Sequence, residues 1–265
     1  MMVSSPTELD ASKPSSARIY DYLLGGCDHF AVDREAAKTF MLAVPNARNS
    51  ARATRGFVLR ATRAMAELGI RQFIDIGCGI PIYPNVHDIA RKVVPDARVA
   101  YVDNDPIVLA KGRALRDEQG VVTVEGDLRK PAEIFAGPEV SGLLDLDQPV
   151  GVLTIAVWHF LPEDEVYQYQ AQIRQALAPG SCLALSHACV DHVSQEEVEG
   201  GQAVYRQTTN PMRARTREEI AGLFEGFELI DPGLVPLSEW RPRKDDPYPE
   251  RSLEALAGVG VLPAR

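Results

Sequence analysis

Residues 73–81 read FIDIGCGIP and contain the clearest indication of the fold class. It has the pattern of a buried strand that includes Asp75 and runs into a tight turn containing Gly77 and Gly79. Glycine lets a backbone come closer to a ligand than a residue with a Cβ atom would allow. In an open α/β sheet, ligands bind beyond the carboxyl ends of the strands, near the switch in strand order. The stretch therefore predicts a first strand followed by a ligand-binding turn.

Short apolar runs alternate with helical patterns along the rest of the chain, which favours a doubly wound, mostly parallel sheet with right-handed crossovers. Beyond the first strand, further strands are predicted at 97–103, 121–127, 149–158, 181–187, 227–235 and 253–262. The intervening helices are predicted at 84–94, 105–118, 162–180 and 216–227. The sequence thus predicts an α/β, Rossmann-like fold with a seven-stranded, mostly parallel sheet.

Three regions are predicted along the chain. Residues 1–15 contain no apolar run and are predicted to be a flexible tail. Helical patterns fill residues 16–70 and predict an N-terminal helical extension, ahead of a main domain over 71–265. The alternation loosens at about 190–215, which predicts an insert in the main domain.

One helix of the N-terminal extension is rich in arginine. Its arginines occupy positions other than those of the apolar residues, so we interpret them as a solvated face rather than an anion-binding surface. These residues are Arg48, Arg52, Arg55, Arg60 and Arg63.

Charge and cysteine content disfavour several classes of function. The 265-residue chain has a formal net charge of -9, which disfavours binding to a phosphate backbone. None of its four cysteines forms a CxxC pair, and the cluster of His187, Cys189, Asp191 and His192 matches no common zinc spacing, so no metal is predicted. No segment approaches the roughly 20 apolar residues of a membrane span, and the cysteine pattern favours a cytoplasmic location.

Two nucleotide ligands compete for the glycine turn. A dinucleotide requires G-x-G-x-x-G before a helix N-terminus, whereas the third glycine position here is Ile82 and prolines crowd the turn. The second predicted strand ends in Asp103, whose carboxylate suits the ribose hydroxyls of either ligand. Asp127 ends the third predicted strand, where a dinucleotide has less need of an acid and where the alternative role is a helix N-cap. Together these acidic strand ends favour S-adenosylmethionine over NAD.

Six stretches spread over nearly the whole chain carry a resemblance to a known family. They are SARIYDYLLGGCDHFAVDREAA (16–37), QFIDIGCGIPIYPNVHDIA (72–90), YVDNDPIVLA (101–110), GDLRKP (126–131), AVWHFL (156–161) and PGSCLALSH (179–187). The sequence resembles a bacterial family of class I S-adenosylmethionine-dependent methyltransferases, marked by A-R-x-Y-D-Y-x-L-G-G followed by lysine, D-N-F and A-D-R. Cys27 replaces that lysine and His29 replaces that asparagine, which leaves the role of the lysine open here.

The resemblance implies S-adenosylmethionine as cofactor and S-adenosylhomocysteine as product, and most members of the family have no assigned acceptor. It implies that Asp127 accepts a hydrogen bond from the adenine amino group and that the Leu128 N–H faces the ring. The full set of cofactor residues expected in the main domain is Asp75, Gly77, Gly79, Asp103, Asn104, Asp127, Leu128 and Ala156.

The N-terminal helix raises a further hypothesis, that it forms a lid over the cofactor and ends at Gly25 and Gly26. Arg18 would then pair with the methionine carboxylate in a bidentate manner. Tyr20 or Tyr22 would lie against the sulfonium or the adenine. The alternative is that Tyr20 and the neighbouring leucines only dock the helix on the domain.

Candidate groups for the chemistry follow the fourth and fifth predicted strands. His159 is the candidate catalytic base. The alternative is a structural histidine, because methyl transfer depends more on positioning than on proton removal. Trp158 is either a wall of the acceptor pocket or a core residue. His187 and Asp191 are candidate acceptor-binding residues near the mouth of the site.

The leading prediction is a methyltransferase that acts on a small molecule, with no nucleic-acid or membrane partner. No N/D-P-P-Y follows the fourth predicted strand, so the usual site for methylating base amino groups is missing. The alternatives are an NAD-dependent oxidoreductase on the same sheet and a non-catalytic, S-adenosylmethionine-binding regulatory protein. The second alternative is favoured by Cys27 and by the lack of an obvious base, and a fold alone does not decide between them. The acceptor and the oligomeric state are left undefined by the sequence.

Overall fold

The structure is a computed structural model that describes residues 11–113, 118–161, 164–191, 193–252 and 254–264. His192, one member of the predicted histidine and cysteine cluster, lies outside the described residues. The described strands form one sheet: β1 (Gln72–Ile76), β2 (Arg98–Asp103), β3 (Val121–Glu125), β4 (Gly151–Ile155), β5 (Cys182–Ala188), β6 (Glu228–Leu229), β7 (Val235–Pro236) and β8 (Ala255–Val261).

The strand order is β3-β2-β1-β4-β5-β8-β6, and β7 also pairs with β8. The first five strands are parallel, and β8 runs antiparallel to β5. The order reverses between β1 and β4, so the ligand crevice of such a sheet lies beyond the carboxyl ends of these strands. The predicted α/β, Rossmann-like, mostly parallel fold is confirmed.

The predicted sixth strand, residues 227–235, consists of two short pieces along the same edge of β8. β6 and β7 are separated by a turn in which Gly233 has a φ of 83°. Pro232 lies in this turn and has no N–H to donate to a neighbouring strand. Among the described residues the sheet therefore has eight strands instead of the predicted seven, because the predicted sixth strand is divided into β6 and β7.

Helices cover both faces of the sheet. They are α1 (Ser16–Leu24), α2 (Ala31–Ala43), α3 (Ala47–Glu67), α4 (Val86–Ala90), α5 (Pro106–Gly112), α6 (Pro131–Ala136), α7 (Pro138–Leu143), α8 (Val166–Gln175), α9 (Gln195–Tyr205) and α10 (Arg217–Gly222), with 3₁₀ turns at Trp158–Phe160 and Leu237–Glu239. One apolar core joins the sheet to α6, α7, α8 and α10, and a second joins its other face to α3 and α4. None of the described helices is long and apolar enough to cross a bilayer.

The N-terminal helices have two different environments. Phe57 and Met65 of α3 are fully buried in the same core as Phe73 and Leu153 of the sheet. In contrast, α1 and α2 form a separate apolar cluster that includes Tyr205 of α9, in the predicted insert. The first two helices and the predicted insert therefore pack against each other.

The arginines of α3 do not form one solvated face, which corrects the sequence-based interpretation. Arg48 and Arg52 are exposed as expected, whereas Arg55 and Arg60 are only 9% and 6% exposed. Arg60 pairs with Asp246 and donates to two backbone carbonyls of the segment that follows β7. The interpretation failed because residues distant in sequence cover this side of α3.

Candidate cofactor and acceptor site

Two glycines in the turn after β1 share a backbone conformation but differ in what surrounds them. Gly77 and Gly79 have φ angles of 72° and 67°, in the left-handed region that residues with a Cβ atom rarely adopt. A Cβ atom added at Gly77 would lie 2.6 Å from Cγ2 of Val157, whereas one added at Gly79 would project into open space. Gly79 lines a cavity of about 270 Å³, so this space is available to a ligand that lies against the backbone.

Three carboxylates at consecutive strand ends line the same cavity, namely Asp75, Asp103 and Asp127. Oδ2 of Asp103 accepts a hydrogen bond from the backbone N–H of Gly79 at 2.9 Å, which fixes this acid beside the glycine turn. Oδ2 of Asp127 pairs with Nη2 of Arg129 at 2.6 Å. Asp127 is not a helix N-cap, because the residue in that position before α6 is Lys130. The fold thus gathers the predicted acids around one space.

Burial shifts the protonation of two of these acids. Desolvation raises the pKa of Asp75 to about 7, with the charge of Arg55 opposing the shift and that of Asp103 adding to it. Desolvation also raises the pKa of Asp103 to about 6, against the effect of hydrogen bonds from the backbone of Asp105 and Gly79. The protein's own groups therefore leave both acids partly protonated near neutral pH, and a cationic ligand would favour their ionised forms.

One wall of the cavity is formed by α1. Ser16, Tyr20 and Leu23 line the cavity, and Oη of Tyr20 donates to the carbonyl of Ala51 in α3 at 3.0 Å. Nδ2 of Asn210, in the predicted insert, donates to Oγ of Ser16 at 3.0 Å. Contacts with both α3 and the insert therefore hold α1 across the cavity.

The cavity has mostly apolar walls in the part that is lined by α2, by α9 and by the residues after β4 and β5. We call this part the apolar chamber and define it by Phe40, Val44, His159, Phe160, Val198, Tyr205, Met212 and Glu254. The rings of Phe40 and Tyr205 meet edge to face with centroids 5.1 Å apart. The chamber suits a ligand with an apolar body and few polar groups.

Glu254 brings a negative charge to the apolar chamber. Its Oε1 accepts from Nδ2 of Asn46 at 2.7 Å, and its Oε2 accepts from Oγ of Ser252 at 2.7 Å and Oγ of Ser50 at 3.0 Å. Burial opposes ionisation, but these hydrogen bonds lower the pKa of Glu254 overall. Glu254 is therefore ionised at neutral pH.

Two histidines at the end of the chamber are held neutral. Nε2 of His187 lies 2.9 Å from Nη1 of Arg215, and its Nδ1 lies 2.7 Å from the carbonyl of Ala188. An arginine only donates, so Nε2 of His187 accepts and its Nδ1 carries the proton. Burial, with His159 and Arg215 contributing, holds the pKa of His187 well below its usual value.

His159 lies against His187, with ring centroids 5.5 Å apart. Burial and the charge of Arg215 lower the pKa of His159 to about 3. Among the described residues, Nδ1 of His159 has no hydrogen-bond partner and no contact with solvent. His159 is therefore a weak base whose neutral ring can still form a hydrogen bond with a ligand.

Several residues that the sequence placed at the site do not line the cavity. They are Arg18, Gly25, Gly26, Trp158 and Asp191. Nε of Arg18 instead pairs with Oδ2 of buried Asp33 at 2.8 Å, so the geometry does not support its pairing with a cofactor carboxylate. Trp158 is fully buried in the core shared with α8 and α10, as its alternative assignment proposed. Asp191 is exposed and accepts from the N–H of Arg217 at 3.1 Å.

The other predicted site residues lie on the cavity wall. They are Tyr20, Asp75, Gly77, Gly79, Asp103, Asn104, Asp127, Leu128, Ala156, His159 and His187. Ala156 follows β4 with a φ of 55°, and its N–H donates to Oγ of Ser186 at 3.0 Å. A left-handed residue with a Cβ atom costs about 1–2 kcal/mol, and such strain concentrates at functional sites.

Three further residues line the cavity although the sequence did not indicate them, namely Arg55, Tyr205 and Glu254. Arg55 was assigned to a solvated face, Tyr205 lies where the alternation of elements loosens, and Glu254 lies within the predicted seventh strand. No local signal marks them, because packing between elements that are distant in sequence brings each one to the cavity.

The doubly wound sheet, with a glycine turn after β1 and acids at successive strand ends, is the arrangement typical of class I S-adenosylmethionine-dependent methyltransferases. The family model described as S-adenosyl methyltransferase matches residues 2–263. The chain therefore belongs to this family and is an S-adenosylmethionine-dependent methyltransferase. Neither the NAD-dependent oxidoreductase nor the non-catalytic protein is retained as an alternative.

Two solved structures are similar to this chain over nearly their full lengths. A proposed methyltransferase from Thermobifida fusca YX is 36% identical with a TM-score of 0.90, and the match covers 99% of this chain and 100% of that one. A DUF574 family protein from Streptomyces avermitilis MA-4680 is 37% identical with a TM-score of 0.89, covering 97% and 100%. Human N-acetylserotonin methyltransferase, at 13% identity and a TM-score of 0.51 over 92% and 62%, shares the fold. No curated protein matches the chain.

Proposed function

We propose that this methyltransferase acts on a small molecule bound in the apolar chamber. The observation that carries the proposal is that a single cavity joins the glycine turn to the chamber and is lined by α1, α2 and α9. A chamber lined by helices can surround a small ligand, as most ligand pockets do. Its walls suit an acceptor with an apolar body.

The cavity residues fit the cofactor, because the space above Gly79 is open and acids line its edge. Asp103 would hold the ribose hydroxyls, while Asn104, Asp127 and Leu128 would surround the adenine. When bound, S-adenosylmethionine supplies an activated methyl group, and S-adenosylhomocysteine is the product.

The protein's contribution to the reaction is to position the acceptor and to exclude water from it. We revise the role of His159 from catalytic base to hydrogen-bonding group, since its low pKa makes it a weak proton acceptor. Its neutral ring lines the cavity and would contact the acceptor there. The acceptor then needs a nucleophilic atom that reacts without strong base catalysis.

Glu254 would select among acceptors by charge. An ionised carboxylate in a mostly apolar chamber repels an anionic ligand and forms charge-assisted hydrogen bonds with amines and hydroxyls. We therefore expect the acceptor to carry a hydrogen-bond donor at the end of its apolar body, rather than a carboxylate or phosphate.

The N-terminal helix α1, which contains the A-R-x-Y-D-Y-x-L-G-G signature, would act as the lid of this site. Tyr20 lines the cavity, while Arg18 supports the lid by pairing with Asp33 of α2. The signature would then serve to hold α1 closed over the cofactor, with Gly25 and Gly26 ending the helix.

The proposal is tested by calorimetry followed by methyl transfer. The full-length protein should bind S-adenosylmethionine and S-adenosylhomocysteine but not NADH. With labelled S-adenosylmethionine, label should move to the low-molecular-weight fraction of a bacterial extract, and the labelled product should not be retained on an anion exchanger at neutral pH. Label found instead in RNA or protein would contradict the small-molecule proposal, and an anionic product would contradict the role of Glu254.

A further inference from the structure

Arg55 is a buried cation on the wall of the cofactor cavity. It lies on α3 and lines both the main cavity and a small cavity behind the glycine turn. Its Nη2 donates to the backbone carbonyls of Ile82 and Pro84, in the segment that follows the turn. These contacts fix the plane of the guanidinium group, so that the group is ordered before any ligand binds.

Within the part of the chain that the structure describes, the Nε donor of Arg55 is not used. Among the described residues it has no hydrogen-bond partner, and it is shielded from solvent. A buried donor without a partner costs about 1–3 kcal/mol. No described carboxylate oxygen lies within 4.0 Å of this guanidinium, although Asp75 is near enough for its charge to be felt. Arg55 therefore brings to the cavity wall a positive charge that no described carboxylate pairs with, and this charge can attract an anionic group.

Arg18 was predicted from the sequence to pair with the methionine carboxylate of the cofactor. Unlike Arg55, it is already paired with a carboxylate of the protein. Its Nε pairs with Asp33 at 2.8 Å and its Nη2 donates to the carbonyl of Lys13 at 2.5 Å. It also stacks over the ring of Phe30, 5.0 Å from the centroid, and it does not line the cavity. Its charge is therefore already balanced by Asp33, within the N-terminal region.

We propose that the guanidinium of Arg55 binds the carboxylate of the cofactor's methionine moiety, and that it thereby selects cofactors that carry this carboxylate. The inference rests on the placement of the cofactor along the glycine turn given under the proposed function. Asp75, on the neighbouring strand end, would face the ammonium group of the same amino acid. A cation and an acid at adjacent positions match the two charges of a zwitterion, and charge-assisted hydrogen bonds to arginine are strong and directional.

The test compares three ligands by calorimetry on the full-length protein. S-adenosylhomocysteine carries both the ammonium and the carboxylate, its decarboxylated form keeps only the ammonium, and 5′-methylthioadenosine has neither. The wild-type protein should bind S-adenosylhomocysteine at least about tenfold more tightly than the decarboxylated form. Arg55→Gln should weaken S-adenosylhomocysteine binding by about tenfold or more and change the affinity for the other two ligands by less than about twofold.

Arg52→Gln is the matched control, because Arg52 lies one turn away on α3 and pairs with Glu250 at the surface. It should leave all three affinities unchanged. If Arg55→Gln does not fold, as judged by circular dichroism, Arg55→Lys keeps the charge and should reduce the preference for the carboxylate without abolishing it. Equal binding of S-adenosylhomocysteine and its decarboxylated form by the wild type, or an equal loss for all three ligands in a folded Arg55 variant, would overturn the proposal. Failure of the folded wild type to bind any of the three would instead refute the cofactor placement.

Discussion

Asp75 shows how burial makes an ordinary carboxyl group respond to its ligand. It is 9% exposed, and desolvation is the main cause of its pKa of about 7. Because this value lies above that of an unfolded chain, the contribution of Asp75 to stability is present at low pH and is lost as the pH rises towards 7. The folded protein thus carries an unfavourable buried charge at physiological pH, and a cation beside it would offset that cost.

We expect S-adenosylhomocysteine binding near pH 7 to release protons, because its ammonium group favours the ionised form of Asp75. The affinity should fall by up to about tenfold as the pH is lowered from about 8 to about 6. Calorimetry in two buffers with different heats of ionisation measures the number of protons released. Proton uptake, or a pH-independent affinity, would be incompatible with a raised pKa for Asp75 in the free protein.

Because Asp75→Asn removes this buried charge, we expect the variant to have opposite effects on stability and on binding. The variant should raise the free energy of unfolding by about 1–3 kcal/mol near pH 8. It should also lower the affinity for S-adenosylhomocysteine and reduce the number of protons released on binding. Asp147→Asn, at an exposed position, is the control and should change neither quantity.

At the level of single elements, the end of α1 depends on one buried carboxylate. Oδ2 of Asp21 lies 2.9 Å from the N–H of Asp28 and 2.8 Å from Nδ1 of His29, so it folds the segment after the helix back onto α1. A Cβ atom added at Gly26 would overlap the Asp21 carboxylate. This close approach leaves room only for glycine at position 26 of the chain.

Gly26→Ala tests whether α1 acts as a lid. The overlap should displace the end of α1 and weaken S-adenosylhomocysteine binding by about tenfold. The melting temperature should fall only slightly, since α1 lies outside the two sheet cores. Gly142→Ala is the matched control, because a Cβ atom at this position in α7 would meet no atom within 4 Å. Unchanged affinity in a Gly26→Ala protein would argue that α1 only docks on the domain.

Over the whole molecule, α3 connects the sheet, the cofactor cavity and the C-terminal segments. Arg60 reaches Asp246 and the carbonyls of Leu237 and Trp240, across about 180 residues of sequence. The side chains of Arg60 and Asp246 are each 5% exposed. Such a pair is costly to break, because the remaining partner is left buried with an unbalanced charge.

Arg60→Gln should lower the free energy of unfolding by about 3–5 kcal/mol, measured by urea denaturation. Neither Arg60 nor Asp246 lines the cavity, so the affinity of the folded variant for S-adenosylhomocysteine should be unchanged. Arg52→Gln removes an ion pair in which Arg52 is 45% exposed and should cost less than about 1 kcal/mol. A similar small loss for Arg60→Gln would show that the buried pair does not anchor the C-terminal segment.

The strands and the acids at their ends could be predicted because each depends on a local pattern. Hydrophobic period and length indicate β1 to β5, and a parallel sheet then brings Asp75, Asp103 and Asp127 to one edge. In contrast, the split between β6 and β7 depends on how residues 231–234 leave the edge of β8, which no hydrophobic period encodes. The environments of the α3 arginines likewise depended on which distant loops cover that helix.

The class of fold, the glycine turn and the choice of an adenosyl cofactor could be predicted from the amino-acid sequence, since they follow from periodicity, the absence of a Cβ atom and acids at strand ends. The environment of each charge was set instead by the three-dimensional packing of the chain. It pairs Arg18 with Asp33, leaves Nε of Arg55 without a partner among the described residues, and holds His159 neutral beside Arg215. The physical reason is that burial and partner geometry set the free energy of a charge, and both arise from contacts between residues far apart in the chain.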